Sequence, residues 1–237
     1  MAARRKPIKR LFSTALAVVL LLGLAALAVL ARPASDAQVT QADSVAAKPP
    51  SPLSLLAMAP KVGGAKYNAI AVAIDNDKHL ASALADDITA TTGATALQVL
   101  KWHPDIGFSI YDPTDPFSED FALAVGDPVF VLMQGTTATV YSLVGAVPAQ
   151  NSVHFALLGS ATACRYNFIS VPLDKSALTL ASELANDIGD AVQVLKWDPD
   201  TGFSIYDPTD PFSEDFQVRI GYPYFVCMAA NKTWPTP

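Results

Sequence analysis

The sequence predicts an α+β protein: two tandem copies of a small strand-rich module, each with one helix after its first strand, preceded by an N-terminal apolar export or anchor helix. Three observations support this class. The 237-residue chain starts with a basic flank and a long uncharged run. Its later part repeats at an offset of 95 to 100 residues. Within each copy, short apolar runs alternate with turn-forming residues, and one stretch has helical periodicity.

The N-terminus is typical of an export signal. Residues 2–10 carry five positive charges and no negative charge, and residues 11–31 carry no charge. That pattern favours a cleaved signal peptide. The apolar run is also long enough to span a bilayer, so an uncleaved anchor is the alternative. We therefore assign residues 1–37 to a signal peptide or N-terminal membrane anchor, and both alternatives place the rest outside the cytoplasm.

Setting this segment aside changes the charge balance. Six of the 16 Lys+Arg lie at or before Arg32, and only Asp36 of the 22 Asp+Glu precedes residue 38. The remaining chain has 10 positive and 21 negative charges, a net charge of −11. Such acidity disfavours nucleic acid and anionic membranes as partners. Membrane contact is expected only through residues 11–31, if they are not removed.

Residues 38–65 read as an Ala/Ser/Pro-rich linker that contains a KPPSP cluster. The apolar stretch Leu53–Met58 within it is a candidate strand.

The region after the N-terminal segment consists of two copies of one sequence repeat. Trp102–Phe121 and Trp197–Phe216 agree at 18 of 20 positions. Shifts in the offset place five extra residues of the first copy within Thr89–Ala96, after its helix. We assign repeat module 1 to residues 66–148 and repeat module 2 to residues 149–237. A period this long indicates either two small domains or two halves of one pseudo-symmetric domain.

The first elements of copy one are a strand and a helix. Tyr67–Ile74 is a mostly apolar run that predicts a buried strand. Asp75–Asp77 are candidate caps for a helix over Lys78–Ile88. Leu80, Leu84 and Ile88 follow at i, i+4 and i+8, which places them on one helix face.

A hairpin comes next. Gln98–Trp102 predicts a strand, residues 103–107 a turn that contains Pro and Gly, and Phe108–Tyr111 the returning strand. After an acidic loop, further strands are expected at the ranges Phe121–Val125, Val129–Met133, Thr137–Val144 and Ser152–Leu158.

Both cysteines fall in copy two. Cys164 and Cys227 occupy positions where copy one has Ala65 and Leu132. Their joint presence predicts a disulfide between the first and last strands of this copy, which an oxidising compartment permits. The alternative is two unrelated buried thiols.

Each copy carries an acidic, proline-rich loop. Clustered carboxylates in an exported loop are candidate Ca²⁺ ligands. The alternative is a solvated structural loop, held by its prolines and phenylalanines. The eight candidate ligands are Asp112, Asp115, Glu119, Asp120, Asp207, Asp210, Glu214 and Asp215. Apart from this Ca²⁺, no cofactor is expected.

Four repeated aromatic residues are candidates for stacking against a sugar: Trp102, Tyr111, Trp197 and Tyr206. Such residues serve equally well as core and cross-strand pairs.

Catalysis has little support in the residues. None of the three histidines has a histidine at the equivalent repeat position, although a base serving a repeated site should itself be repeated. No nucleophile elbow, Walker loop or dinucleotide fingerprint occurs. The expectation is a protein without enzymatic activity; a small hydrolase that uses paired carboxylates is the weaker alternative.

The repeat residues resemble small extracytoplasmic repeat modules of bacterial secreted and surface proteins. The resemblance is carried by YNFISVPLD (166–174), VLKWDP (194–199) and GYPYFV (221–226). It implies an exported module and transfers no residue-level function. Copy one departs from the pattern at Asp127 and Val129, among other positions.

These observations predict an exported protein that acts in binding or structure at the cell surface or extracellularly. An extracellular protein or a glycan is the expected partner. The principal alternative is a Ca²⁺- or carbohydrate-binding module that uses the acidic and aromatic loops.

Overall fold

The structure is a computed structural model that describes residues 53–58 and 65–236, and all of them belong to one compact unit. The strands of its first half are β1 (Leu53–Met58), β2 (Ala65–Ala71), β3 (Thr95–His103), β4 (Gly107–Tyr111), β5 (Pro128–Gln134) and β6 (Thr139–Val144). Those of the second half are β7 (Phe155–Leu157), β8 (Arg165–Ser170), β9 (Ala191–Asp198), β10 (Gly202–Tyr206), β11 (Pro223–Met228) and β12 (Lys232–Trp234). The helices are α1 (Ala81–Thr92) and α2 (Ala181–Ile188).

Each repeat forms a four-stranded antiparallel sheet with the same strand order. Repeat 1 has the order β2-β5-β3-β4, and repeat 2 has the order β8-β11-β9-β10. In both, the second and third strands of the repeat form a hairpin closed by a glycine with positive φ, 90° at Gly107 and 88° at Gly202. This backbone conformation favours glycine at both turns.

The two sheets pack face to face on an apolar layer. Side chains alternate across each sheet, so Phe130 points inward while its neighbours Val129 and Val131 point outward. Phe130 stacks on Phe168 of the other sheet at a centroid distance of 5.0 Å. Buried residues of the inter-sheet layer are Leu100, Phe130, Phe168, Leu195 and Phe225.

Reciprocal hydrogen bonds join the sheets. The Trp102 indole Nε1–H donates to the carbonyl of Tyr166 at 2.7 Å, and the Trp197 Nε1–H donates to the carbonyl of Tyr67 at 2.8 Å. Ion pairs between Lys66 and Asp200 and between Arg165 and Asp105 repeat this exchange at the periphery. The repeats are therefore related by an approximate two-fold axis and share one core.

The outer face of each sheet is covered by a helix and a two-stranded sheet. Helix α1 and strand β6, which pairs with β1, cover repeat 1. Helix α2 and the β7–β12 pair cover repeat 2, where Trp234 is buried. Each repeat thus has an outer core of its own in addition to the shared inner layer.

The predicted α+β class is wrong. Twelve strands and two short helices make up the regular structure of residues 53–58 and 65–236. The arrangement is that of a sandwich, since sheet-on-sheet packing forms the shared layer and the helices serve only as outer covers. The prediction described each copy as a small strand-rich module with one helix after its first strand, and it missed β12, the strand that pairs with β7 in the outer cover of repeat 2.

Three local predictions also differ from the structure. Helix α1 begins at Ala81 rather than Lys78, and no Asp75–Asp77 side chain caps it. The insertion after the first helix extends it to Thr92, so α1 has 12 residues and α2 has 8. The stretch Phe121–Val125 is a loop, because it forms only an isolated bridge to Leu80.

No helix in the described part of the chain is long and apolar enough to cross a membrane. The predicted export or anchor helix over residues 11–31 lies outside the described residues.

Candidate functional site

The acidic loop of repeat 1, residues 112–120, consists of two consecutive β-turns. The Asp112 carbonyl accepts from the Asp115 N–H at 3.1 Å, and the Asp115 carbonyl accepts from the Ser118 N–H at 3.0 Å. Proline follows each aspartate, at the turn position where its fixed φ is favoured. The backbone of this loop is therefore preorganised by its own sequence.

The carboxylates of this loop hold the turns in place. Asp112 Oδ1 accepts from the backbone N–H of Thr114 at 2.8 Å, and Asp115 Oδ1 accepts from that of Phe117 at 2.9 Å. Asp112 Oδ2 also accepts from Gln98 Nε2 at 2.8 Å. Aspartates often stabilise turns in this way, by bonding the backbone two residues ahead.

Repeat 2 has the same loop, residues 207–215, with the same bonds to its aspartate carboxylates. Asp207 Oδ1 accepts from the Thr209 N–H at 2.8 Å, and Asp210 Oδ1 accepts from the Phe212 N–H at 2.9 Å. Gln193 Nε2 donates to Asp207 Oδ2 at 2.9 Å. The loop geometry therefore follows from the local sequence and not from neighbours unique to one repeat.

The last aspartate of each loop binds the start of a helix. Asp120 accepts from the backbone N–H of Ser82 at 2.9 Å and from its hydroxyl at 2.6 Å. Asp215 makes the same pair of bonds to Ser182, at 2.9 and 2.7 Å. Since the cap residues Leu80 and Leu180 are apolar, a distant carboxylate satisfies N–H groups that a local cap would otherwise bind.

Hydrogen bonding lowers the pKa of two loop carboxyls. The amide of Gln98, followed by Thr114, holds the pKa of Asp112 below its ordinary value. Gln193 and then Thr209 do the same for the pKa of Asp207. Bonds to the charged form favour ionisation, so both groups are carboxylates near neutral pH.

The eight predicted Ca²⁺ ligands differ in whether their carboxylates already have hydrogen-bond donors. The side-chain carboxylates of six of them already accept hydrogen bonds inside the protein, whereas those of Glu119 and Glu214 have no such partner among the described residues. Ca²⁺ binding by the loops stays a prediction, and a bound ion would compete with backbone N–H groups for these oxygens.

One phenylalanine at each loop tip faces solvent. Phe117 and Phe212 are both 93% exposed, although the turns around them are fixed. The phenylalanine that ends each loop, Phe121 or Phe216, is instead buried. An exposed aromatic side chain on a rigid turn is poised to contact a partner at a small cost in conformational entropy.

The loop is more alike between repeats than the core is. Residues 107–121 and 202–216 are identical at all 15 positions. The buried strands β2 and β8 share only three of seven residues over 65–71 and 164–170. Hydrogen bonds explain the identity of the aspartates, whereas the side chain of Phe117 is exposed and packs on no part of the core.

The four predicted stacking residues lie between or beside the sheets. Trp102 and Trp197 are half-buried in the inter-sheet layer, and their N–H groups form the reciprocal bonds described above. Tyr111 packs on the outer core of repeat 1, and Tyr206 on that of repeat 2. The structure does not bring the four together on one surface, and sugar stacking by them stays a prediction.

The predicted disulfide is confirmed. Cys164 and Cys227 are bonded, with their Cα atoms 5.4 Å apart, and they join the start of β8 to the end of β11. The bond indicates an extracellular or other oxidising environment.

A charged corner was missed by reasoning from the sequence. In repeat 1, Lys101 Nζ lies 2.5 Å from Asp127 Oδ2. Repeat 2 has Lys196 and Tyr222 at these positions, and Arg219 replaces Ala124. Aligning the two repeats shows that Asp127 is replaced by Tyr222. The alignment does not show that Asp127 forms an ion pair with Lys101, because that depends on the fold.

A second unpredicted group, Asp75, Asp77 and His79, is fully on the surface. Its candidate ligand atoms lie within 4.8 Å of one another, and His79 Nε2 is 3.7 Å from Asp75 Oδ1. Repeat 2 has Thr179 where repeat 1 has His79, so this group is not duplicated.

Comparison with known proteins gives no relative: no protein family, no curated protein and no solved structure matches the chain.

Proposed function

We propose that the protein is an exported, non-catalytic binding protein that docks an extracellular protein partner through two equivalent loop tips. Each tip, residues 112–120 or 207–215, offers one exposed phenylalanine within a rim of carboxylates. The observation that carries the proposal is the 93% exposure of Phe117 and Phe212 on loops that are otherwise fixed by hydrogen bonds.

The duplication supports a binding role. A side chain with no part in folding is expected to diverge between copies at least as fast as the core. Phe117 and Phe212 lie instead in the identical 15-residue segment, beside core strands that have changed. Two equivalent tips also allow bivalent attachment, which raises overall affinity without any new contact.

The chemistry of the tips defines the partner. Aromatic side chains provide much of the binding energy when they enter a desolvated pocket. Glu119 and Glu214, beside the two phenylalanines, leave negative charge on the rim. The partner is therefore a protein with an apolar pocket edged by Lys or Arg, and salt should weaken the complex.

The test uses the full chain with its disulfide formed, and a photo-crosslinking amino acid in place of the exposed Pro116 or Pro211, whose side chains make none of the hydrogen bonds that hold the loops. The protein is added to intact cells of the source organism, and the crosslinked proteins are identified by mass spectrometry. We expect one protein to crosslink at both positions. The double variant Phe117→Ser/Phe212→Ser should reduce its recovery at least about tenfold, the size expected for loss of aromatic hot spots.

The matched control is Ile106→Ser. Ile106 is 79% exposed at the tip of the β3–β4 hairpin, and repeat 2 has Thr201 there. This variant removes a similar apolar surface but should leave recovery unchanged. Equal recovery of every crosslinked protein by the wild type and the double variant would refute the proposal.

A further inference from the structure

A pocket of about 350 Å³ lies beside the Gly-x-Pro corner of repeat 2, and Asn68 and Ala69 of strand β2 complete its wall. The volume falls within the range of roughly 300–1,000 Å³ found for small-molecule sites. The polar and aromatic residues of its wall include Lys196, Trp197, Asp198, Gln217, Arg219 and Tyr222.

The equivalent corner of repeat 1 is neutralised internally. Asp127 Oδ2 lies 2.5 Å from Lys101 Nζ and also accepts from the Ala124 N–H at 2.7 Å. Lys101 Nζ further donates to the Ala122 carbonyl at 3.3 Å. One carboxylate therefore balances the lysine and satisfies the backbone of the corner.

Repeat 2 replaces only one of these two functions. The Tyr224 hydroxyl accepts from the Arg219 N–H at 2.9 Å, so the backbone is still satisfied. Burial raises the pKa of Tyr224 to about 12, which keeps this hydroxyl neutral. No replacement for the negative charge of Asp127 is present, because Tyr222 occupies its position.

Two cations line the pocket as a result. Lys196 Nζ lies 4.7 Å from the ring centre of Phe216, and the Arg219 guanidinium lies 5.8 Å from that of Tyr222. Neither has a carboxylate within 4.0 Å in the part of the chain that the structure describes. These contacts with aromatic rings leave the hydrogen-bond donors of both side chains available to a ligand.

The one carboxylate in the wall, Asp198, offsets part of this positive charge, since Lys196 is among the groups that lower the pKa of Asp198. Asp198 Oδ1 accepts from the backbone N–H groups of Asp200 and Thr201, at 2.8 and 2.9 Å. These bonds hold the β9–β10 turn. The pocket thus carries an excess of positive charge on a protein whose described surface is acidic overall.

We propose that this corner pocket binds a saccharide that carries a carboxylate, such as a hexuronate unit of an acidic polysaccharide. The planar guanidinium of Arg219 suits bidentate pairing with a carboxylate. Tyr222 and Trp197 add aromatic surface, and Gln217 offers an amide for sugar hydroxyls. This site is separate from the loop tips, so the inference does not depend on the proposed function.

The test titrates the full chain with trigalacturonate, using isothermal calorimetry and tryptophan fluorescence, since Trp197 lines the pocket. Maltotriose is the neutral comparison, and a sulfated trisaccharide tests whether any anion suffices. We expect trigalacturonate to bind at least about tenfold more tightly than maltotriose, because only the acidic sugar can form charge-assisted bonds. Equally tight binding of the sulfated sugar would overturn the assignment to a carboxylate. Equal binding of the neutral and acidic sugars, or no binding of trigalacturonate, would overturn the proposal.

The repeat itself supplies the variants. Arg219→Ala and Tyr222→Asp each restore the residue of repeat 1, where the fold tolerates it. Both should weaken trigalacturonate binding at least about tenfold, Tyr222→Asp by returning a carboxylate to Lys196. The matched control Lys101→Ala, in repeat 1, should leave binding unchanged. Thermal melting and near-UV circular dichroism verify folding, and an unchanged affinity in folded Tyr222→Asp would contradict the assignment.

Discussion

The two repeats have the same strand order and the same loop, yet only repeat 2 has a disulfide and a corner whose lysine lacks an ion pair like Lys101–Asp127. Repeat 1 closes its corner with the Lys101–Asp127 pair and has a longer helix. The comparison separates what the scaffold requires from what one copy has acquired. The inter-sheet bonds and turn-forming aspartates are common to both, whereas the covalent link and the pocket are particular to repeat 2.

The largest difference to test is the disulfide. Replacing Cys164→Ala and Cys227→Leu gives repeat 2 the residues of repeat 1. The bond spans 63 residues of sequence. Its loss should lower the free energy of unfolding by about 4 kcal/mol on the chain-entropy estimate. Urea unfolding followed by circular dichroism measures this change.

Amide hydrogen exchange identifies the strands that lose stability when the disulfide is removed. Amides of β8 and β11 should exchange faster in the double variant, since the bond joins these strands. Addition of a reductant should destabilise the wild type by a similar amount and leave the variant unaffected. A variant as stable as the wild type would show that the bond contributes nothing to the difference between the repeats.

A smaller effect tests the two-fold relation. Trp102→Phe and Trp197→Phe each remove an indole N–H and leave a carbonyl of the other repeat without its donor. Each should cost about 1–3 kcal/mol of unfolding free energy, the range for an unsatisfied buried polar group. Urea unfolding should give equal costs within error. Clearly unequal costs would contradict the equivalence of the two bonds.

A third pair of variants compares the helices. Asp120→Ala and Asp215→Ala remove the acceptor for the backbone N–H of Ser82 or Ser182. Loss of a helix N-terminal acceptor costs about 1 kcal/mol, and both variants should show it in urea unfolding despite the different helix lengths.

The rescue variants are Asp120→Asn and Asp215→Asn, which keep one acceptor oxygen. They should recover most of the stability lost in the alanine variants. No recovery by asparagine would indicate that charge, rather than the hydrogen bond, stabilises the start of the helix.

The sequence predicted the repeated features better than the long-range ones. The hairpin around Gly107 and the strand at Leu53–Met58 were located correctly, because turn residues and apolar runs encode them locally. The disulfide followed from comparing copies. Strand β12 was missed because a three-residue strand has no pattern of its own, and it forms only by pairing with β7.

The candidate site shows the same limit. Asp120 was predicted as a metal ligand on composition alone, whereas its partner Ser82 lies 38 residues earlier in the chain. The exposure of Phe117 could not be predicted from the sequence either, since Phe121, four residues later in the same motif, is buried. Which of two phenylalanines faces solvent depends on the turn geometry, and that is set by hydrogen bonds rather than by residue type.

The smallest predicted effect concerns acid. Asp112 and Asp207 have pKa values below their ordinary range, chiefly because Gln98 and Gln193 donate to them. A carboxyl whose pKa is lower in the folded state stabilises it fully above its unfolded pKa of about 4, and this contribution is lost as the pH falls through the folded pKa. Wild-type stability should therefore decline below about pH 4 in part through these two groups.

Gln98→Leu and Gln193→Leu separate this contribution from general acid effects. Each variant should raise the pKa of its own aspartate towards the ordinary value, measured by NMR titration of the side-chain carboxyl carbon, and leave the other aspartate unchanged. The stability difference from the wild type should then be larger at pH 7 than at pH 3, and similar for the two repeats. A difference that is the same at both pH values, or a pKa that does not move, would contradict the role of the glutamines. Equal pKa changes and equal stability differences in the two variants would show that the two loops share their electrostatics as well as their sequence and geometry.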